Sequence, residues 1–320
     1  MLHDYPKLLG DIGGTNVRLA LKLSPEGEIG HIVNMKLRDH ADAASAIEHY
    51  LAQVGAASGP MRPRTGCLGV AGPVQGDHLK LFNAPWGFSI EGLRQALGLA
   101  RLRVLNDFTV LALALPHLPK AELRQIGGGE PVAGMTMGLI GAGTGLGVSG
   151  LVPNLQGEMS PIAGEGGHVT LAPSDDDEER LIALLRHRFG HVSAERVLSG
   201  SGLVVLYEAH AQLAGKPVEP LAPADVTQRG LAGQCALCEA ALNSFCLFMG
   251  TVASNLAVSL GAQGGLFIGG GIVPLLGDFF ERSGFRARFD AKGRYTDYMR
   301  RIPVFVIHTA YPGLIGAAQA

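Results

Sequence analysis

Residues 8–21 read LLGDIGGTNVRLAL. Two apolar, strand-like runs, 8–12 and 17–23, flank an acid and a Gly-Gly turn, with Thr15 and Asn16 at its exit. Glycines carry no Cβ, so backbone amides in such a turn can approach a phosphate closely. Thr15 adds a hydroxyl donor, and Asp11 has the chemistry to hold Mg²⁺ through water. An ordinary hairpin turn would read the same way from this motif alone. No Gly-Lys-Ser/Thr follows at the spacing of a Walker A loop.

The device recurs about 130 residues on, an interval read directly from the sequence, as MTMGLIGAGTGLGVSGLV (135–152). Its glycines lie between two strands rather than between strand and helix, which counts against a Rossmann dinucleotide site. Gly143, Thr144 and Gly145 are placed to take further phosphate oxygens. Each device opens a run of mixed strands and helices. The expectation is therefore two related α/β halves with a site in the cleft between them. A third cluster, GLFIGGGIVP (265–274), ends a strand in three glycines before a helix. A flat adenosine could lie on the bare backbone of Gly270 and Gly271, or the glycines could serve close packing.

Composition suits an ordered enzyme. The 320 residues are 47% hydrophobic and 17% charged, enough for a sizeable core. A net charge of −2 gives no general attraction to nucleic acid or anionic membrane. Four cysteines are too few for a disulfide framework, so a reducing compartment is expected. The N-terminus does not resemble a signal peptide. Uncharged stretches at 131–157 and 240–277 are broken by glycines, as core elements are. The periodicity predicts helices at 42–53, 89–98, 108–115, 177–189 (with Ser174 as a possible cap) and about 233–260, and another from Val273–Pro274. Further strands are expected at 67–71, 79–83, 103–105, 265–269 and 304–308.

Several segments carry acids or other reactive groups. In RVLNDFTVLALALP (103–116) a strand meets Asn106-Asp107 and then an apolar helix. Asp107 could cap that helix, and the same placement keeps a carboxylate ionised to accept a hydroxyl proton. Beside it, Asn106 has an amide suited to sugar hydroxyls. PIAGEGGHVTLAP (161–173) sets Glu165 and His168 three apart in a glycine-rich loop, with no second His or Cys at ligand spacing for a metal. Carboxylate and imidazole suit vicinal hydroxyls instead. Glu195, in HVSAERVLSGSGL (191–203), reads as a solvent-facing residue at a helix start after Ser193. Cys235-x-x-Cys238 sits in the long helix, where core packing is preferred over zinc or redox chemistry. The basic stretch 282–301 reads as a solvated face with local ion pairs.

Taken in order, GDIGGTNVRLAL, LNDFT, GAGTGLGV, GEGGHVTLAP, HVSAERVLSG, GGIVP and SGFRARFDAKGR closely resemble the bacterial glucokinases over nearly the whole chain. The resemblance implies the two-domain actin/hexokinase-like (ribonuclease H-like) ATPase fold with an interdomain cleft. The small domain would take residues 1–117 plus 308–320, and the large domain residues 118–307. It implies phosphoryl transfer from ATP, with Mg²⁺, to glucose, with Asp107 as general base toward the 6-hydroxyl. By the same resemblance, Asn106, Asp107, Glu165, His168 and Glu195 would grip the sugar. Gly10, Asp11, Ile12, Gly13, Gly14 and Thr15 match the family's ATP phosphate loop, and Gly143, Thr144, Gly145, Gly270 and Gly271 complete the expected nucleotide set. The basic stretch belongs to the family pattern, so no nucleic acid or membrane partner is expected. A cytoplasmic homodimer is. The closing segment PGLIGAAQA (312–320) is shorter than the family's last helix. Two alternatives remain open: a kinase for another hexose, or a sugar-responsive regulator on the same fold. The regulator is disfavoured by a phosphate turn that starts at residue 10 and by the lack of a cysteine-rich motif after His168.

Overall fold

A computed structural model describes residues 4–81 and 85–320. The chain forms two compact units. One comprises Met1–Pro119, Pro161–Ala163 and Thr309–Ala320; the other comprises Lys120–Ser160 and Gly164–His308.

The first unit is built on strands β1 (Lys7–Ile12), β2 (Asn16–Lys22), β3 (Ile29–Lys36) and β4 (Thr65–Val70). A small hairpin of β5 (His78–Lys80) and β6 (Gly87–Ser89) follows, then β7 (Arg101–Asn106). The expected strand at 79–83 is seen as β5; its positions 82 and 83 lie outside the described residues. The main sheet runs β3-β2-β1-β4-β7, with β1 antiparallel to β2 and parallel to β4. Strand β4, flanked by two parallel neighbours, is buried at every position, as a doubly covered strand must be. Helix α1 (Ala43–Gln53) is capped by Asp42 and turns Ile47, Tyr50 and Leu51 inward. Helices α2 (Ile90–Ala96) and α3 (Asp107–Ala114) follow.

The second unit contains β8 (Leu123–Ile126), β9 (Met137–Ala142), β10 (Leu146–Pro153), β11 (Met159–Pro161), β12 (Leu266–Gly269) and β13 (Val304–Ile307). Their order is β11-β10-β9-β12-β13-β8, with β9, β12 and β13 parallel and β8 antiparallel at the edge. Numbered from its own first hairpin strand, each sheet reads third-second-first-fourth-fifth. The repeated glycine device of the sequence is thus a repeated sheet.

Helices α4 (Asp176–Phe189), α5 (Gly200–Leu213) and α6 (Pro223–Leu231) precede α7 (Ala236–Leu260). Ser174 does not cap α4: Asp175 does, accepting from Glu178 N, while the Ser174 amide donates to the Glu178 carboxylate. Asp175, one residue nearer the first turn, holds the N-cap position from which a carboxylate oxygen reaches the Glu178 amide. Helix α7 is long and apolar enough to cross a membrane by length and composition, yet 67% of its most apolar window is buried. It packs against α5, α6 and α10 and ends at Gly261 in the left-handed region (φ 65°). Helices α8 (Ile272–Leu276), α9 (Asp278–Arg282), α10 (Phe285–Asp290) and α11 (Thr296–Arg300) close the unit. Two arginines of the basic stretch are internal ties. The Arg286 guanidinium donates to carbonyls of Ile126, Met299, Arg300 and Ile302; that of Arg288 pairs with Glu178 (2.6 Å) and Asp175 (2.9 Å).

The final helix, α12 (Pro312–Gln319), belongs to the first unit and packs on α3 and β1. Though short, it buries Leu314 and Ala317 against Leu9, Cys67 and Val110. Its approach requires Gly316, because a Cβ there would lie 1.9 Å from the Val110 carbonyl oxygen.

Candidate active site

In the first unit, register gathers the candidate residues. Ile12 pairs with Val70, and Val70 with Asn106, across parallel strands. The glycine turn after β1 and Asn106-Asp107 after β7 therefore leave the same carboxyl edge, two strand spacings or about 10 Å apart. Open α/β sheets bind ligands at this edge.

Within the first turn, Gly13 N donates to Asn16 O (3.0 Å), and Thr15 O accepts from Leu37 N (3.0 Å). The Gly14 and Thr15 amides and the exposed Thr15 hydroxyl take no part in these bonds. Gly10, Asp11 and Ile12 lie within β1, the strand expected over 8–12, flanked by β2 and β4, so only Gly13, Gly14 and Thr15 of the matched segment form the turn itself. Gly10 is glycine for packing, since a Cβ would stand 2.4 Å from Leu68 Cδ2. Asp11 is the direct cross-strand partner of Arg18, whose Nη1 donates to Asp11 Oδ2 (2.9 Å). That arginine escaped the sequence reading, although hairpin register about the turn predicts the pairing. The remaining carboxylate oxygen of Asp11 fits water-mediated Mg²⁺, an ion that takes few protein ligands and keeps several waters. Among the described residues, no cluster of three or more His, Cys, Asp or Glu forms a closed metal site.

Asn106, not Asp107, caps α3. Its Oδ1 accepts from Phe108 N (2.9 Å) and Thr109 N (3.2 Å), and its Nδ2 donates to Gly72 O (3.2 Å). Asp107 is the first helical residue, with Oδ1 accepting from Phe108 N (2.9 Å).

In the second unit, Gly141 of β9 pairs with Gly269 of β12, so the second turn and the third glycine cluster share one carboxyl edge. Gly143 N donates to Gly145 O (2.8 Å), and Gly143 O accepts from Gly200 N (2.8 Å). Thr144 is exposed at the tip. Gly270 has φ 76°, and a Cβ there would meet Ala142 O at 2.3 Å, so close packing accounts for it. Gly271 faces open space.

Glu195 does stand at a helix start after Ser193, but it is not solvent-facing. It lies partly buried in a 3-10 turn, Ala194–Arg196, and its Oε2 accepts from Leu146 N (2.9 Å) at the second glycine turn. Gly145 makes room, since a Cβ would come within 2.5 Å of that oxygen. The other sugar candidates sit beside it. A 3-10 turn, Gly166–His168, rests on β10, where a Cβ at Gly167 would meet Leu146 O at 2.1 Å. Thr170 bridges Ser193, and Ala194 N donates to Val169 O (2.9 Å). Beyond that bridge, the 3-10 turns that carry His168 and Glu195 touch. Glu165 and His168 are exposed. One carboxylate is anchored at the glycine turn, and a second carboxylate and an imidazole are exposed on the neighbouring turn.

The glucokinase family model matches residues 8–320, the whole span that carries both edges. The chain belongs to the glucokinase family. The glucokinase of Aromatoleum aromaticum is 52% identical over 316 residues, 99% of this chain and 94% of that protein. A crystal structure of a glucokinase from an Antarctic psychrotroph matches with a TM-score of 0.89 at 36% identity, covering 98% of this chain and 97% of that one. A glucokinase of the ROK family from Streptomyces griseus, solved with glucose and AMPPNP, matches with a TM-score of 0.60. It is 18% identical and covers 98% of this chain and 97% of that one, a likeness of fold. The hexokinase-like fold expected for a glucokinase-family chain is the fold observed.

Proposed function

We propose that Asp107 is the general base in transfer of the γ-phosphoryl group of ATP to the 6-hydroxyl of glucose. Whole-chain membership of the glucokinase family establishes the glucokinase function itself. The observation behind the base is the position of Asp107, in the first turn of α3 on the edge that also carries the glycine turn. There it takes the proton of the attacking hydroxyl, the oxygen bonds to the γ-phosphorus, and the bridging oxygen leaves with ADP. The Gly14 and Thr15 amides, with Gly143, Thr144 and Gly145 in the second unit, stabilise phosphate charge. Glu165, His168 and Glu195 hold the sugar hydroxyls. Asn106 positions Asp107 by fixing the start of the helix, and its remaining amide hydrogen is available to the sugar. Asp11 would hold Mg²⁺ through water, and the ion would neutralise phosphate charge. A cytoplasmic homodimer follows from the family resemblance, and sedimentation tests the dimer.

A coupled assay on Asp107→Ala should show turnover reduced by about 10²–10⁴-fold, with glucose binding still measurable by calorimetry. Near-normal turnover would remove Asp107 from the role. The same assay on wild-type protein across hexoses and donors should give glucose with ATP as the preferred pair; a stronger signal with another hexose would replace glucose as the substrate.

A further inference from the structure

The chemistry above makes no use of Cys235 and Cys238, which differ sharply in setting. Cys235 is partly exposed and follows four exposed residues, 231–234; Cys238 is fully buried. Cys235 is also not inside α7, where the sequence pattern put it. It is the N-cap of this 25-residue helix, with extended backbone and its Sγ accepting from Cys238 N (3.3 Å). The residue at the third helical position faces the cap, so the two Cα atoms fall within the roughly 4.4–6.8 Å that a disulfide spans. Neither sulfur is bonded to another cysteine.

We propose that Cys235 and Cys238 form a redox-active dithiol that exchanges with low-molecular-weight disulfides. The Cys235 thiolate attacks one sulfur of RS–SR, that S–S bond breaks, and RS⁻ leaves. The Cys238 thiol then gives up its proton, and its sulfur attacks Cys235 Sγ. The second RS⁻ leaves, and the protein disulfide forms. Two protein thiols lose two electrons, the small disulfide is reduced to two thiols, and the two protons released end on them.

The asymmetry suits this order of events. Burial opposes ionisation of Cys235, but the hydrogen bonds from the Cys238 thiol and amide and from the Leu237 amide outweigh it, and its pKa is lowered. Burial, with the neighbouring Cys235 sulfur, raises that of Cys238, so the second thiol stays protonated until the mixed disulfide forms. Glu219 disfavours charge on both sulfurs, and Arg229, paired with Glu219, favours it on Cys238. Glu239 in the first turn adds a further negative charge, so the cap bonds and the helix field carry the activation. Cys67 and Cys246 are buried, with thiols pushed by burial up to about 11 and about 12, and serve as internal controls.

The test treats the native full chain with glutathione disulfide and reads intact mass and peptide maps. Wild-type protein should lose two hydrogens, restored by a reductant. Cys238→Ser should retain a single glutathionyl group on Cys235, and Cys235→Ser should undergo neither change. At neutral pH, iodoacetamide should alkylate Cys235 at least about tenfold faster than Cys67 or Cys246. Unchanged wild-type mass in excess disulfide, or modification falling first on Cys67 or Cys246, would overturn the proposal. The wild-type measurement stands even if a serine variant folds poorly.

Discussion

Glu195 and Gly145 form one structural unit: the carboxylate takes the Leu146 amide because position 145 carries no side chain. Gly145→Ala should displace that carboxylate, losing a charge-assisted bond worth about 1.5–3 kcal/mol. Steady-state assays should show a glucose KM raised by roughly ten- to a hundredfold, with a smaller change in kcat. An unchanged KM would separate Glu195 from sugar binding. At this scale the sequence was legible where chemistry and local geometry coincide. Asn106-Asp107 marks a strand-to-helix junction, and what remained hidden was the division of labour, with Asn106 as the cap and Asp107 as the first helical residue. Glu195 was illegible from its neighbours alone, because its partner amide lies 49 residues away in the chain.

Among the elements, α12 shows how a short helix is secured. Eight residues form a marginal helix alone, so its stability comes from the apolar face set on α3 and β1. Gly316→Ala would drive a Cβ into the Val110 carbonyl, which is backbone and has little freedom to yield. The expected loss is at least about 1–3 kcal/mol, read by denaturant titration of the full chain; a neutral result would mean that the two helices do not approach as closely as described. Its apolar, small-residue composition was visible beforehand, but not its partner, since β1 and α12 come from opposite ends of the sequence. Conversely, β1, β2, β9 and β10 were evident from alternating apolar runs around glycine turns.

For the whole molecule, His210 gives a pH signature. It is partly buried in α5, with Nε2 bonded to Ser244 Oγ (2.8 Å) in α7, and burial lowers its pKa although Asp177 pulls the other way. The unfolded chain binds that proton first, so stability is full above about pH 6.5 and falls as pH drops toward the lower folded value. His210→Gln should flatten that part of the stability–pH curve, and an unchanged slope would show that this imidazole does not contribute. The sequence by itself determined the repeated strand-turn-strand device, the residues of both glycine turns and the candidate base, because turns, caps and alternation depend on neighbours within a few positions. Tertiary structure alone decided which residues meet. Parallel register brought Ile12, Val70 and Asn106 to one edge, and the Thr170–Ser193 bridge brought the turns of His168 and Glu195 into contact. Packing set Leu68 against Gly10, where a side chain would not fit. Such pairings join distant segments through hydrogen bonds and excluded volume, which leave little local trace in the order of the amino acids.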